Sequence, residues 1–268
     1  MANLYSNSRY VENVRRLALG LEAVDALRGA RIPDDIRITF DEVPQGLPRP
    51  SIVRHDSAAF ALLYGPAIGD SIVIRLFDSA YSVWTESRDR RRFVPRRFRV
   101  PLLAADDADA QPISQRVRRP ALFPGAAYDT AECVTGMRGR VTDDDVPVRW
   151  ARIQAVDPVS GTTVGRAHCD DRGEFLLLID STASGLAELS DPLELQIRVH
   201  VPTTPVVNTA IKAVDPLWDL PIENVPNPGL ADEVSPGNLP WPEWTLASTT
   251  AIEFPLGALL KGQPALTV

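Results

Sequence analysis

The sequence predicts an all-β protein: two β-sandwich domains followed by an extended, proline- and tryptophan-rich C-terminal arm. Three observations carry this. Proline supplies 24 of 268 residues, close to twice its ~5% average share, while glycine at 16 is ordinary. Proline fixes φ and lacks an N–H, so it sits poorly inside helices and central strands, and many short segments joined by turns are expected. Second, the apolar segments are short, rich in β-branched or aromatic residues, and bounded by Pro, Gly or Asp. Third, the chain repeats itself. Residues 21–32 (LEAVDALRGARI) align without gaps on residues 153–164 (IQAVDPVSGTTV), and residues 211–216 (IKAVDP) repeat the first half of the unit.

The elements follow in order. Within residues 9–28, Val11, Val14, Leu17, Leu21 and Val24 fall at helical spacing, with Gly29 as a stop. Leu17, Leu19 and Leu21 also alternate at period two, and Gly20 would cost a helix about 1 kcal/mol against alanine. The repeat decides for strand, because its second copy carries Pro158 where a helix needs a continuing N–H. Both copies read as strand, Asp-containing turn with a glycine, next strand. Further strands are expected at 36–40, 58–64, 71–77 and 97–103, which places a first domain at 1–104. Residues 104–112 (AADDADAQP) are small, acidic and unpatterned, so 105–133 reads as linker and domain junction. A second domain at 134–215 has strand candidates at 137–141, 148–156, 163–168, 174–179 and 193–201. The arm, 216–268, is punctuated by proline as far as residue 242, holds Trp218, Trp241 and Trp244, and ends in a strand near 251–254.

One stretch has a family likeness. Gly139, Arg140, Val141 and Thr142, then Pro147 and Val148, Ala151 to Ile153, Gly161, and the Asp170-Asp171-Arg172-Gly173 turn before Glu174, Phe175 and Leu176 resemble the carboxypeptidase regulatory-like module. That family is a seven-stranded, transthyretin-like or Ig-like sandwich. The likeness spans about 45 residues, around 136–180, with Trp150 and Val146 where the family usually has glycine. It implies a fold and a non-catalytic accessory role, and it brings no active-site residue.

Composition and motifs exclude most chemistries. Formal charge is 28 − 35 = −7, so the whole is not a polycation that coats nucleic acid. His55, His168 and His200 lie in no HxxE or HExxH spacing, and His168-Cys169-Asp170 are strand neighbours that point to alternate faces. Asp143, Asp144 and Asp145 read as a solvated hairpin turn and lack the calcium-loop pattern. There is no Gly-x-Ser-x-Gly and no phosphate-binding glycine loop, so no cofactor or metal is expected. Cys133 and Cys169 belong to no CxxC and read as a pair of buried free thiols. The first sixteen residues have no apolar signal core, and no window approaches ~18 apolar residues. The expectation is synthesis in the cytoplasm, with a place in a released or virion-like particle open to it.

What remains points to interaction. Residues 88–99 (RDRRRFVPRRFR) carry Arg88, Arg90, Arg91, Arg92, Arg96, Arg97 and Arg99 with Phe93 and Phe98 between them. Arginines on one strand face are expected to fork onto carboxylates, within the chain or on a partner, in preference to nucleic acid. Trp218, Trp241 and Trp244 are expected to anchor the arm. These features predict a non-enzymatic component of a multi-protein machine assembled in the cytoplasm, such as a phage-tail-like contractile injection system. Its partners would be other subunits or copies of itself. The alternatives are a carbohydrate-binding sandwich stacking sugars on Trp84, Trp241 or Trp244, and a hydrolase with a site outside known motifs.

Overall fold

Strand accounts for nearly all regular structure in the described residues, and the helical turns among them are two short 3-10 segments, Ser79–Tyr81 and Ile113–Arg116. The structure is a computed structural model and describes residues 16–32, 36–41, 50–57, 59–65, 68–81, 91–107, 110–179, 192–203, 215–224, 244–261 and 265–268. In chain order the first strands are β1 (Leu17–Leu21), β2 (Val24–Asp25), β3 (Ile36–Phe40), β4 (Ile52–Arg54), β5 (Phe60–Leu63), β6 (Ser71–Asp78), β7 (Arg96–Pro101), β8 (Val117–Arg118) and β9 (Ala121–Leu122). Then come β10 (Gly136–Asp143), β11 (Val146–Pro147), β12 (Arg152–Val156), β13 (Thr163–His168), β14 (Glu174–Ile179), β15 (Leu193–Pro202), β16 (Ile222–Asn224), β17 (Trp244–Phe254), β18 (Leu259–Leu260) and β19 (Leu266–Thr267). No helix among the described residues is long and apolar enough to cross a membrane.

Two four-stranded sheets, β4-β5-β1-β8 and β16-β7-β6-β3, share one core that includes Leu19, Leu21, Leu62, Ile74, Leu76 and Phe98. Strand β6 is buried along most of its length, consistent with its nearly continuous apolar run IVIRLF. Within residues 105–133, β8 lies parallel to β1 and β9 parallel to β2, and Leu122 is fully buried. A nine-stranded sheet follows the path β11-β10-β14-β13-β12-β15-β17, with β18 and β19 parallel on β10. Its core includes Val141, Ile153, Phe175, Leu177, Ile197 and Val199. Strand β14 serves both cores, because successive side chains point to opposite faces: Phe175 and Leu177 face one, Leu176 and Leu178 the other.

The repeated units close in the same way. Asp25 accepts from the Leu27 and Arg28 amides through Oδ1, and the Gly29 amide donates to the Asp25 carbonyl at 2.9 Å. Asp157 accepts from the Val159 and Ser160 amides, and the Gly161 amide donates to the Asp157 carbonyl at 2.9 Å. Gly29 and Gly161 sit at φ 63° and 71°, the left-handed region that glycine enters without steric cost. In the third copy Asp215 caps the Leu217 amide at 2.9 Å. Asp25 and Asp157 offer the backbone a local acceptor just where their strands end.

Three sequence expectations are corrected. Residues 148–150 form the approach to a turn and not the start of β12; Trp150 is there at φ 59°, an uncommon conformation for a bulky residue. The last long strand begins at Trp244, well before residue 251, because TLASTTAI pairs along nearly the whole of β15. Cys133 is exposed, while Cys169 is buried, and both are free.

Candidate functional site

Among the described residues, a dense polar constellation lies where the strands β7, β12 and β16 approach one another. Parallel pairing of β16 with β7 sets Glu223 opposite Phe98, within reach of Arg96. Arg96 donates to Glu223 twice, Nε to Oε1 at 3.0 Å and Nη2 to Oε2 at 2.5 Å, the two-pronged geometry that suits a guanidinium. Its Nη1 donates to the Ala121 carbonyl at 2.5 Å. From β12, Arg152 donates Nη2 to Glu223 Oε1 at 2.8 Å and lies 4.4 Å over the Trp244 ring. Trp244 Nε1 in turn donates to the Trp150 carbonyl at 2.9 Å. Arg152 also touches His168, whose ring stacks on Phe123 at 3.7 Å.

Electrostatics follow from this packing. Burial alone would raise the Glu223 pKa, but the charges and hydrogen bonds of Arg96 and Arg152 outweigh it and bring it to about 2. Burial lowers Arg152 to about 10 against the pull of Glu223, which leaves it charged at neutral pH. Burial, then the nearby Arg152, Arg96 and Arg166 charges, hold His168 well below the ordinary histidine value, so its ring is neutral.

Further ion pairs extend the seam. Asp41 meets Arg75 and Arg97, and Arg75 also meets Asp215, the aspartate of the third repeat. Arg149 donates to both oxygens of Asp219 at 2.6 and 2.7 Å, and Trp150 Nε1 donates to Asp219 Oδ1 at 2.8 Å. Arg91 pairs with Asp171 at 2.5 Å and lies 4.3 Å over the Tyr81 ring. Tyr81 packs with Phe77, Val94, Trp150, Leu217 and Leu220 in a small apolar cluster of its own. Each pair joins segments distant in sequence. A buried ion pair is weak evidence for net stability, but removing one partner strands the other, so the seam favours a single mutual arrangement of these sheets.

The residues singled out from sequence are therefore dispersed. Arg91 and Arg96 are buried and Arg97 is half-buried, all with carboxylates of the same chain; Arg92 and Arg99 are exposed. Trp244 is buried against Arg152, and Trp218 is half-buried with Arg149 5.9 Å from its ring. Arg88, Arg90, Trp84 and Trp241 lie outside the described residues. Asp144 and Asp145 form the two-residue hairpin turn between β10 and β11, both at positive φ, as a type I′ turn requires. Among the described residues no group of three His, Cys, Asp or Glu side chains is placed to hold a metal ion. Sequence reading missed Glu223, Asp41 and Asp219, whose only signal was nearby proline, and read Asp171 only as part of a turn.

Beyond Trp244, which belongs to the seam, β17 runs out along the edge of the nine-stranded sheet, whose path it ends. Its core-side residues Ile252 and Thr250 pair with Leu195 and Ile197, which are 1% and 0% exposed, yet Ile252 is half-buried and Thr250 is exposed. The outer residues Thr249, Ala251 and Glu253 are exposed as well. A bulge interrupts the β15 register at Ala247, between Leu246 and Ser248. Comparison of the chain with models of known protein families, with curated proteins and with solved structures gives no match.

Proposed function

We propose that the protein is a non-enzymatic structural component that works by protein–protein recognition within a multi-protein assembly. The observation that carries this reading is the edge of β17, eleven residues long, exposed over most of its length and with β15 as its one partner strand among the described residues. An unpaired edge presents a row of backbone donors and acceptors, and strand addition to such an edge is a common mode of recognition. The buried ion pairs support the reading from the other side, because they spend much of the arginine-rich segment inside the chain and hold the sheets that present the edge. In this proposal residues 1–104 and 134–215 form β-sandwich domains, the second related to carboxypeptidase regulatory-like modules. A phage-tail-like contractile injection system assembled in the cytoplasm is one machine that uses such parts, by analogy of fold.

The test is purification of the protein from its native source at low salt, with mass spectrometry of what accompanies it and electron microscopy of any particles. Stoichiometric co-purification of other subunits supports the proposal. A chain that travels alone and as a monomer overturns it.

A further inference from the structure

We infer that a second copy of this chain occupies the β17 edge, added antiparallel about a two-fold axis at Ala251 so that the nine-stranded sheets of two protomers become continuous. The inference rests on the reading of the chain as an assembly component and names one of its partners. Three observations specify the occupant and its register.

The core is unfinished at this edge. Behind Thr250 and Ile252 lie the fully buried Ile197 and Leu195, but Thr250 is exposed and Ile252 only half-covered. One more strand supplies the missing cover.

The strand also carries few of the devices that keep edges apart. Between Trp244 and Phe254 there is no lysine and no proline, and Glu253 is the one charge. The bulge at Ala247 distorts only the N-terminal end, so residues 248–254 (STTAIEF) run in regular register with β15.

Those seven residues are self-complementary. About an axis at Ala251, that small residue faces its own copy, Thr250 faces Ile252, Thr249 faces Glu253 and Ser248 faces Phe254. On the core side, β-branched Thr250 meets β-branched Ile252, a favourable cross-strand combination. On the outer side, Glu253 stands opposite Glu194 within its own chain, a like-charge pairing. In the dimer it gains a cation. Arg198 pairs with Thr249 in the β15–β17 register, so the row Arg198, Thr249, then Glu253 of the added strand spans two strand spacings. That is about 10 Å between backbones, within reach of the two long side chains. The neighbouring axes fit less well. A one-residue slip of the strand turns its core face to solvent, an axis at Thr250 sets Glu253 against the bulge at Ala247, an axis at Ile252 sets Thr249 against Pro255, which has no N–H, and an axis at Glu253 sets that carboxylate against itself.

The experiment uses the full chain in sedimentation equilibrium from about 1 to about 100 µM. A monomer–dimer equilibrium is expected. Ala251→Lys places two like charges at the axis and should weaken the dimer at least ~10-fold, with an unchanged circular dichroism spectrum because Ala251 is exposed. Glu253→Arg should weaken it too, and Arg198→Glu in the same chain should restore it, which a merely structural role for either residue would not produce. On a Cys133→Ser background, Ala251→Cys should form a disulfide-linked dimer under mild oxidation. A monomer at every concentration, a dimer that Ala251→Lys leaves intact, or failure of Ala251→Cys to cross-link overturns the inference. A monomer that still co-purifies with other subunits overturns self-pairing alone, whereas a monomer that travels alone overturns the assembly reading as well.

Discussion

Arg152 donates to Glu223 at 2.8 Å across a sequence separation of 71 residues, and the same carboxylate takes two hydrogen bonds from Arg96, which is 127 residues away. One side chain of the C-terminal region thus ties together strands of two different sheets.

Glu223→Gln keeps the shape of that side chain and removes its charge. Two largely buried guanidiniums then lose their shared anion, and breaking a buried pair in this way costs about 3–5 kcal/mol. Urea unfolding of the variant should give a free energy of unfolding lower by that margin, and Glu223→Asp should lose less.

The same carboxylate sets an acid limit. Its folded pKa of about 2 lies below the unfolded value of 4.5, so its contribution is fully present above the unfolded value and is lost as pH falls toward the folded one. The loss is on the order of 3 kcal/mol. Urea midpoints measured from about pH 6 to about pH 2 should decline in this window and do so less steeply in Glu223→Gln.

Tyr128 donates its hydroxyl to Asp25 Oδ2 at 2.6 Å, while the other Asp25 oxygen caps the first repeat turn. Tyr128→Phe keeps the edge-on contact with Phe93 but leaves a buried carboxylate oxygen without that donor. A loss of about 1–3 kcal/mol is expected in thermal or urea unfolding.

The turn glycines should separate into two classes. A Cβ at Gly29 or Gly161 meets nothing within 4 Å, so Gly→Ala there costs only the left-handed backbone, about 1–2 kcal/mol. A Cβ at Gly173 falls 2.6 Å from the Val141 carbonyl oxygen, at the same φ of 71° as Gly161. Gly173→Ala should therefore lower the melting temperature clearly further than either of the other two.

Much of the strand layout was legible because its signals are local. The period-two leucines at 17, 19 and 21, the Asp-capped turns at Asp25 and Asp157, and strands 163–168 and 174–179 follow from alternation and turn chemistry. The short parallel strands β8, β9, β16, β18 and β19 escaped, since two or three residues show no period and their pairing partners are distant. The ion-pair seam was half legible. Residues 88–99 announced arginines that wanted carboxylates, but their acids come from residues 41, 171 and 223, and no spacing rule connects positions so far apart. Trp150 escaped for a different reason: its positive φ is held by Asp219 and the Trp244 contact, neither of which is local.

The parallel pairing of β16 with β7 also orders events in time. During synthesis the sheet that contains β3, β6 and β7 lacks its edge strand, and Arg96 its counter-ion, until residue 224 has left the ribosome. Closing so long a loop is slow, and the incomplete sheet is a surface on which a nascent chain can mispair or meet a chaperone. A fragment ending before residue 222 should therefore expose that strand edge and aggregate where the whole chain does not.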